Sequence, residues 1–375
     1  MSRAYALRSL QLTKFSCNLS NTRRGDYQIM KFGLWDHVDI NDRPLAQLLD
    51  ERVKFVKAGE EAGFYSYHIS EHHATPLNMV PVPGVYLGAI AQATSHIRMG
   101  PLGYLLPLYS PLRLIEEICI LDNLSHGRLD VGVGRGVSPF ELKFHDVDPK
   151  TSHGIFHECL EVVLKGLKNE KLNHSGKNYT YTEVPMELRP LQNPHPPIWY
   201  PTTSVEGATF GGKNGYHFVT LGGIEYAKPS IEAFKEALAK RGQPGEGAND
   251  DFFGGAAIGI MRHLVIAATD DEATKIAQPA YQAWEASLTK LWRVNNVPGP
   301  SIAEFIPPTL EEAIQRGSVI VGSAAKVRDK LAEDILAGGL NYMGTAFYFG
   351  NISHQHAINS METFAEEIMP TLNDL

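Results

Sequence analysis

The chain has 375 residues, 43% hydrophobic and 20% charged, enough apolar material for one large α/β domain or two ordinary ones. A formal net charge of -8 and a pI near 6.0 argue against a nucleic-acid partner, which selects a basic stripe. No apolar run approaches the ~18 residues needed to cross a bilayer, so a membrane role is not expected and a cytoplasmic location is. The three cysteines, Cys17, Cys119 and Cys159, are odd in number and far apart, which forms neither a disulfide framework nor a zinc site.

Residues 1–29 carry Arg3, Arg8, Lys14, Arg23 and Arg24 against the single Asp26 and show no sustained periodicity. This basic, acid-poor arm fits a transit peptide, a disordered extension or an upstream start codon, and it lacks the apolar core of a secretory signal. The folded domain is expected to cover 30–375. It opens with a predicted strand, Lys31 to Trp35, and a helix, Leu45 to Ala62, whose Leu48, Leu49, Val53, Val56 and Ala62 recur at three- and four-residue steps until Gly63 ends it. The alternation continues through strand Phe64 to Ile69, helix Pro83 to Thr94, strand Ile97 to Leu106, helix Leu112 to Leu124, strand Arg128 to Val133 and helix Ile155 to Leu167. An excursion rich in Asn, Tyr, Pro and Gly, Lys171 to Pro197, then intervenes. Strand Ile198 to Pro201, helix Ser204 to Lys213, strand His217 to Leu221, helix Ser230 to Arg241, strand Arg262 to Ala268 and helix Glu272 to Leu291 follow, with a final pair, strand Asn341 to Tyr348 and helix His354 to Ile368.

Eight strands each followed by a helix predict a single (β/α)8 TIM barrel, with an insertion after the fourth unit and a proline-rich lid loop, Val294 to Pro308, after the seventh. The rival is a doubly wound dinucleotide fold. Gly132-Val133-Gly134-Arg135-Gly136 lacks its glycine spacing, sits mid-chain and runs into Ser138-Pro139 rather than directly into a long helix.

Catalysis in such a barrel belongs at the C-terminal ends of the strands, and Ile69-Ser70-Glu71-His72-His73 falls there. An imidazole can move a proton near neutral pH, and a carboxylate beside it can fix its tautomer. One of the two histidines can equally be a loop cap. Arg135 lies between glycines, Gly134 and Gly136, that let backbone approach an anion, and its planar fork suits phosphate; a surface ion pair is the plainer account. Thr203 and Ser204 precede a helix whose free N–H groups make an anion site, or Ser204 only caps it. Trp35, Tyr104, Trp199, Leu221, Phe347 and Tyr348 lie near strand ends, as residues lining an apolar substrate pocket would, and as ordinary core residues also would.

Several blocks in order now carry a resemblance: Lys31-Phe32-Gly33; Glu60-Glu61-Ala62-Gly63-Phe64 leading to Glu71-His72-His73; Ile97-Arg98-Met99-Gly100 through Leu106-Pro107, Pro111-Leu112-Arg113 and Glu116-Glu117; Leu121 to Arg128; and Gly132 to Gly136. Together with Val321-Gly322-Ser323-Ala324 and Ser360 to Pro370, the chain resembles the bacterial luciferase-like flavin monooxygenases. The resemblance implies reduced FMN, supplied by a separate flavin reductase, reacting with O2 through a C4a-peroxyflavin to oxidise a small apolar substrate, preferably an aldehyde or ketone. It implies His72 at the flavin, Glu71 orienting it or touching the flavin indirectly, and His73 in support. It further implies a cis Leu102–Gly103 peptide under the ring, which the residues alone read as a strand bulge at Gly103, and phosphate contacts from Arg135, Thr203 and Ser204. A homodimer through helices Gly84 to Thr94 and Leu112 to Leu124 is also implied. Gly134 stands where the light-emitting subunit has a reactive cysteine, which favours a general monooxygenase over bioluminescence. An F420-dependent dehydrogenase on the same barrel and a non-catalytic flavin-binding protein are the alternatives.

Overall fold

The computed structural model describes residues 30–249, 251–298, 307–373 and 375. The basic arm, 1–29, and most of the predicted lid, 299–306, lie outside the described residues. Strands β1 (Lys31–Asp36), β2 (Ser66–Ile69), β3 (Arg98–Pro101), β4 (Tyr104–Leu105) and β5 (Val131–Gly134) alternate with helices α1 (Leu45–Glu61), α2 (Pro83–Ala93) and α3 (Pro111–Leu124), and α4 (Pro139–Phe144) and α5 (Ser152–Lys168) follow β5. Next come β6 (Lys171–Ser175) and β7 (Thr180–Pro185), then β8 (Ile198–Pro201), α6 (Val205–Asn214), β9 (His217–Thr220), α7 (Ile224–Arg241), β10 (Ile258–Ile266) and α8 (Asp270–Val294). The chain ends with α9 (Leu310–Gln315), β11 (Val319–Gly322), α10 (Ala324–Gly338), β12 (Tyr342–Ala346), α11 (His354–Thr363) and α12 (Met369–Leu372).

The parallel strands run in the order β3-β2-β1-β12-β10-β9-β8-β5-β4. A parallel bridge between Met99 and Leu129 joins β3 to the segment entering β5, so the sheet closes into the expected barrel. The third predicted strand is interrupted: β3 pairs with β2, and after the cis Leu102–Gly103 peptide β4 pairs with β5. Glycines make this seam close. A Cβ on Gly132 would stand 2.2 Å from the Pro101 carbonyl oxygen, and one on Gly103 would stand 2.5 Å from the Gly132 carbonyl carbon.

The predicted insertion is present, and three details go beyond or depart from the sequence reading. The excursion Lys171 to Pro197 holds an antiparallel hairpin, β6 with β7. A further strand and helix, β11 and α10, follow the lid; β11 lies beside the C-terminal half of β10, pairing His263 to Ile266 with Val319 to Gly322. Helix α7 begins at Ile224, six residues before the predicted Ser230 start, because Pro229 is accommodated inside it. Pro229 is the sixth residue of the helix and removes one intrahelical bond, the one its missing N–H would make to the Glu225 carbonyl.

The core has two parts. A large cluster lies between sheet and helices, and a smaller one fills the barrel with Trp35, Leu102, Trp199, Phe252, Met261 and Tyr342 among its members. No helix among the described residues is long and apolar enough to cross a membrane. Cys119 and Cys159 are free and buried, and the described residues contain no cluster of metal-ligating side chains.

Candidate active site

A cavity of about 630 Å³ opens at the C-terminal ends of the parallel strands, the end at which barrel enzymes place their chemistry. Glu71, His72, Leu102, Gly103, Gly134, Arg135, Thr203 and Ser204 line it, as do Trp35 and Leu221. His73 stands behind the wall.

The Glu-His-His run divides its partners differently from the sequence expectation. Glu71 does not orient His72. It is buried and fully engaged elsewhere: one oxygen lies 2.7 Å from His73 Nε2, and the other accepts from the Leu105 backbone N–H at 3.1 Å and the Tyr109 hydroxyl at 2.9 Å. Strand β2 ends at Ile69, two residues before Glu71, and the bond from the Leu105 N–H ties Glu71 to β4. The partner of His72 is Glu141, whose Oε1 lies 3.3 Å from His72 Nδ1 and whose Oε2 accepts from the His73 backbone N–H at 3.1 Å. Ser138 caps α4 through the Glu141 N–H and so fixes where that carboxylate sits.

Burial by itself would lower the affinity of His72 for a proton. Glu141, as a charge and a hydrogen-bond acceptor, and then Glu71 and Asp39 outweigh it, and the His72 pKa lies above its ordinary 6.5. His37, at the end of β1, is the opposite case: burial, then the neighbouring His72 and His263, push it well below 6.5. His37 and His72 stack with ring centroids 6.0 Å apart. Asp39, buried and accepting from the Gly350 N–H, is raised to about 7 by burial.

A different part of the cavity gathers groups of the kind that could hold an anion. Arg135 directly follows β5, is exposed, and reaches Ser152 Oγ at 3.4 Å without an ion-pair partner among the described residues. Ser204 caps α6, accepting from the Gly207 N–H at 3.0 Å, and its hydroxyl lies 3.3 Å from that of Thr202. His153 and His157 on α5 reach the same cavity with their Nε2 atoms 3.1 Å apart. The positive end of α6 adds its N–H groups.

Four predicted pocket residues lie elsewhere. Tyr104 turns away to donate to Glu117 at 2.8 Å. Trp199 is fully buried inside the barrel against His68, His217 and Tyr342. Phe347 packs between Phe64 and Phe364 under the closing helix, and Tyr348 donates to Glu51 beneath Arg52. Residues not anticipated from sequence take their place: His37, Glu141, Met261, Trp284, Leu288 and Trp292. For His37 the signal was present, since it directly follows a predicted strand. Glu141 gave none beyond following Ser138-Pro139, the start of a short helix.

The residues suit a flavin mononucleotide. Leu102 and Val219 offer apolar surface to a ring system, and a Cβ on Gly134 would meet only Leu105, at 3.8 Å, so the backbone there is open to a ligand. Thr220 Oγ1 is buried at the cavity without a partner among the described residues, and Arg135 with the α6 start would hold the phosphate.

A parallel barrel with a cavity at its strand ends, lined by a histidine paired to a carboxylate, has the architecture of an enzyme. The chain belongs to the luciferase-like monooxygenase family, whose profile matches residues 30–341, and is a flavin-dependent monooxygenase. An uncharacterised protein of Sinorhizobium fredii is 33% identical over 341 residues, 91% of this chain and 96% of its own length. The oxygenase component of flavin-dependent trigonelline monooxygenase from Acinetobacter baylyi is 25% identical over 360 residues, 92% of this chain and 96% of its own. The oxygenating constituent of 3,6-diketocamphane monooxygenase from Pseudomonas putida, solved in complex with FMN, superposes with a TM-score of 0.76 at 23% identity, covering 92% of this chain and 99% of that one, which is a likeness of fold.

Proposed function

We propose that this protein is the oxygenase component of a two-component system that takes reduced FMN from a separate reductase and uses O2 to oxidise a small apolar aldehyde or ketone. For a ketone, FMNH2, O2 and substrate give an ester or lactone, FMN and water. The observation that carries the reading is that one cavity is lined both by the anion subsite of Arg135 and Ser204 and by the His72–Glu141 pair. The relative from Acinetobacter, itself an oxygenase component, supports the separate reductase, and the FMN complex of the structural neighbour supports the cofactor.

When bound, reduced FMN supplies the two electrons that activate O2. The chain supplies position and protons. Arg135, Ser204 and Thr203 anchor the phosphate, Leu102 and Gly103 support the ring, and Trp35, Leu221 and the α8 side chains keep water from the reacting face. His72, with Nδ1 committed to Glu141, uses Nε2 to deliver or recover a proton inside the cavity. A homodimer in the cytoplasm completes the proposal; Val85 on α2 and Ile120 on α3 are 77% and 50% exposed, apolar surface that a symmetric partner would cover.

The test is turnover of a panel of ketones and aldehydes with chemically reduced FMN under 18O2, read by mass spectrometry. One labelled oxygen in the product is expected. Unlabelled products, or hydride transfer sustained only by reduced F420 without O2, would assign the barrel to a dehydrogenase, and FMN binding with no product across the panel would favour a storage role.

A further inference from the structure

Helix α5 brings two histidines to the cavity at i and i+4, His153 and His157, a spacing that sets both on one helical face. Their Nε2 atoms converge to 3.1 Å. Both side chains are open to the cavity, His153 exposed and His157 half-buried. His157 rests on Phe210 of α6 with ring centroids 4.9 Å apart, and Phe156 lies against Tyr200 beside it. The groups that could hold an anion border the pair on two sides. Arg135 reaches Ser152, the residue before His153, at 3.4 Å. On the other side Glu206, two residues past the α6 cap Ser204, acts electrostatically on His157.

At a separation of 3.1 Å only one of the two Nε2 atoms carries a hydrogen, because a second would face it across the same gap. In this arrangement the pair holds at most one positive charge. Burial and then the charge of His153 keep the His157 pKa below its ordinary 6.5, against the pull of Glu206. A dianion set against the pair reverses that balance, since it accepts a hydrogen bond from each Nε2–H and offsets the second positive charge. The positive end of α5 favours negative charge at the same place. Arg135 and Glu206 are the charged groups that line the cavity around the pair, and Glu206 would oppose an anion unless a further proton offsets it. Tyr200, at the end of β8, is kept neutral by burial. Asp148 and Lys150 lie in the turn before α5, where the Asp148 carboxylate accepts from the Lys150 N–H. On α5 itself Glu158 is bound to the Asn178 and Tyr179 N–H groups and Glu161 to Lys165.

We infer that His153 and His157 are ligands of the flavin phosphate beside Arg135 and Ser204, and that the pair takes up a proton from solvent when the phosphate binds, one Nε2–H···Nε2 bond giving way to two N–H···O bonds. The inference rests on reading this cavity as the FMN site, and it makes capture of the cofactor proton-linked. Affinity for FMN then falls as pH rises, because the complex needs a proton that the free protein does not hold. A phosphomonoester is already a dianion above its second pKa of about 6, so between about pH 7 and about pH 8.5 the dependence belongs to the protein.

The experiment is calorimetric titration of the full-length protein with oxidised FMN and with riboflavin, in HEPES and in Tris, buffers whose ionisation enthalpies differ. Riboflavin has the same ring and no phosphate, so protons exchanged at His72 or Asp39 on ring binding cancel between the two ligands. FMN should take up roughly half to one proton more than riboflavin near neutral pH, as linkage to one titrating pair requires. Its affinity should weaken by roughly tenfold from about pH 7 to about pH 8.5, while that of riboflavin stays within about twofold. His153→Gln and His157→Gln keep an N–H donor that does not titrate, and each should abolish the extra uptake and flatten the pH dependence. FMN that binds more tightly than riboflavin without an extra proton, or extra uptake that persists in both variants, would overturn the inference and leave the cofactor reading standing. FMN that binds no more tightly than riboflavin would overturn the phosphate site itself, and the inference with it. The comparison of the two flavins on the parent needs no variant to fold.

Discussion

His72 is held by Glu141, a residue 69 positions further along the chain, with Nδ1 and Oε1 3.3 Å apart, while its immediate neighbour Glu71 is turned to His73. Glu141 thus raises the proton affinity of the imidazole that faces the cavity, and under the proposed function α4, which carries it, belongs to the catalytic apparatus.

Glu141→Gln keeps the shape and removes the charge. The His72 pKa, raised in the parent, should fall, and the limb of the pH–rate profile that reports it should move to lower pH. Stability carries the same sign. A folded-state pKa above the unfolded one adds stability that is fully present below about 6.5 and is lost as pH rises through the folded value. Denaturation of parent and variant on both sides of that pH should show a difference that shrinks toward the alkaline side; a difference that grows there contradicts the assignment.

Arg135→Ala should weaken FMN while sparing riboflavin, which has no phosphate. A charge-assisted hydrogen bond contributes about 1.5 to 3 kcal/mol, roughly one to two decades in affinity. Because Arg135 and Ser204 would act on one phosphate, the double variant should lose less than the two single losses added together. Fluorescence titration of both flavins decides it, and an equal loss for riboflavin would sink the phosphate role.

Two glycines at the cavity should behave oppositely. A Cβ at Gly103 would meet backbone on β5 at 2.5 Å, whereas one at Gly134 would meet only the Leu105 side chain at 3.8 Å. Gly103→Ala should therefore destabilise by about 1–3 kcal/mol or more, as overpacking does, and Gly134→Ala should fold like the parent but bind FMN less well. Thermal melts paired with flavin titrations separate the cases; a fully stable Gly103→Ala would refute the close seam.

Deep in the barrel, burial would raise the Asp130 pKa, yet Arg98 at 2.6 Å and His68 at 3.1 Å hold it at about 2. A depressed folded pKa contributes stability above the unfolded value and loses it as pH falls toward about 2. Arg98→Met removes the main partner, so its acid-unfolding midpoint should move to higher pH. A midpoint unchanged or lowered would show that the pair is not what keeps Asp130 ionised.

Much of this architecture is legible in the chain because period-2 and period-3.6 apolar patterns alternate, and the strand ends follow from them. Strand β11 is only Val319 to Gly322, too short to distinguish from a helical turn by periodicity. The pocket aromatics were harder. Which face of a strand a residue occupies depends on register, and pairing changes here from β2 with β3 to β4 with β5, where Tyr104 donates to Glu117. Glu71 and His72 are legible because they lie just past a strand end. Glu141 and Trp284 reach the cavity from helices, and only the tertiary packing of α4 and α8 brings them there.

The central claim is that His72 manages a proton beside bound flavin, and His72→Ala addresses it most directly. With oxidised FMN affinity and turnover measured on the same preparation, affinity should stay near that of the parent while turnover falls by about a hundred- to ten-thousand-fold, the range of general acid–base assistance, and His73→Ala should lose less. Turnover of His72→Ala within about threefold of the parent, far below that range, would contradict the claim.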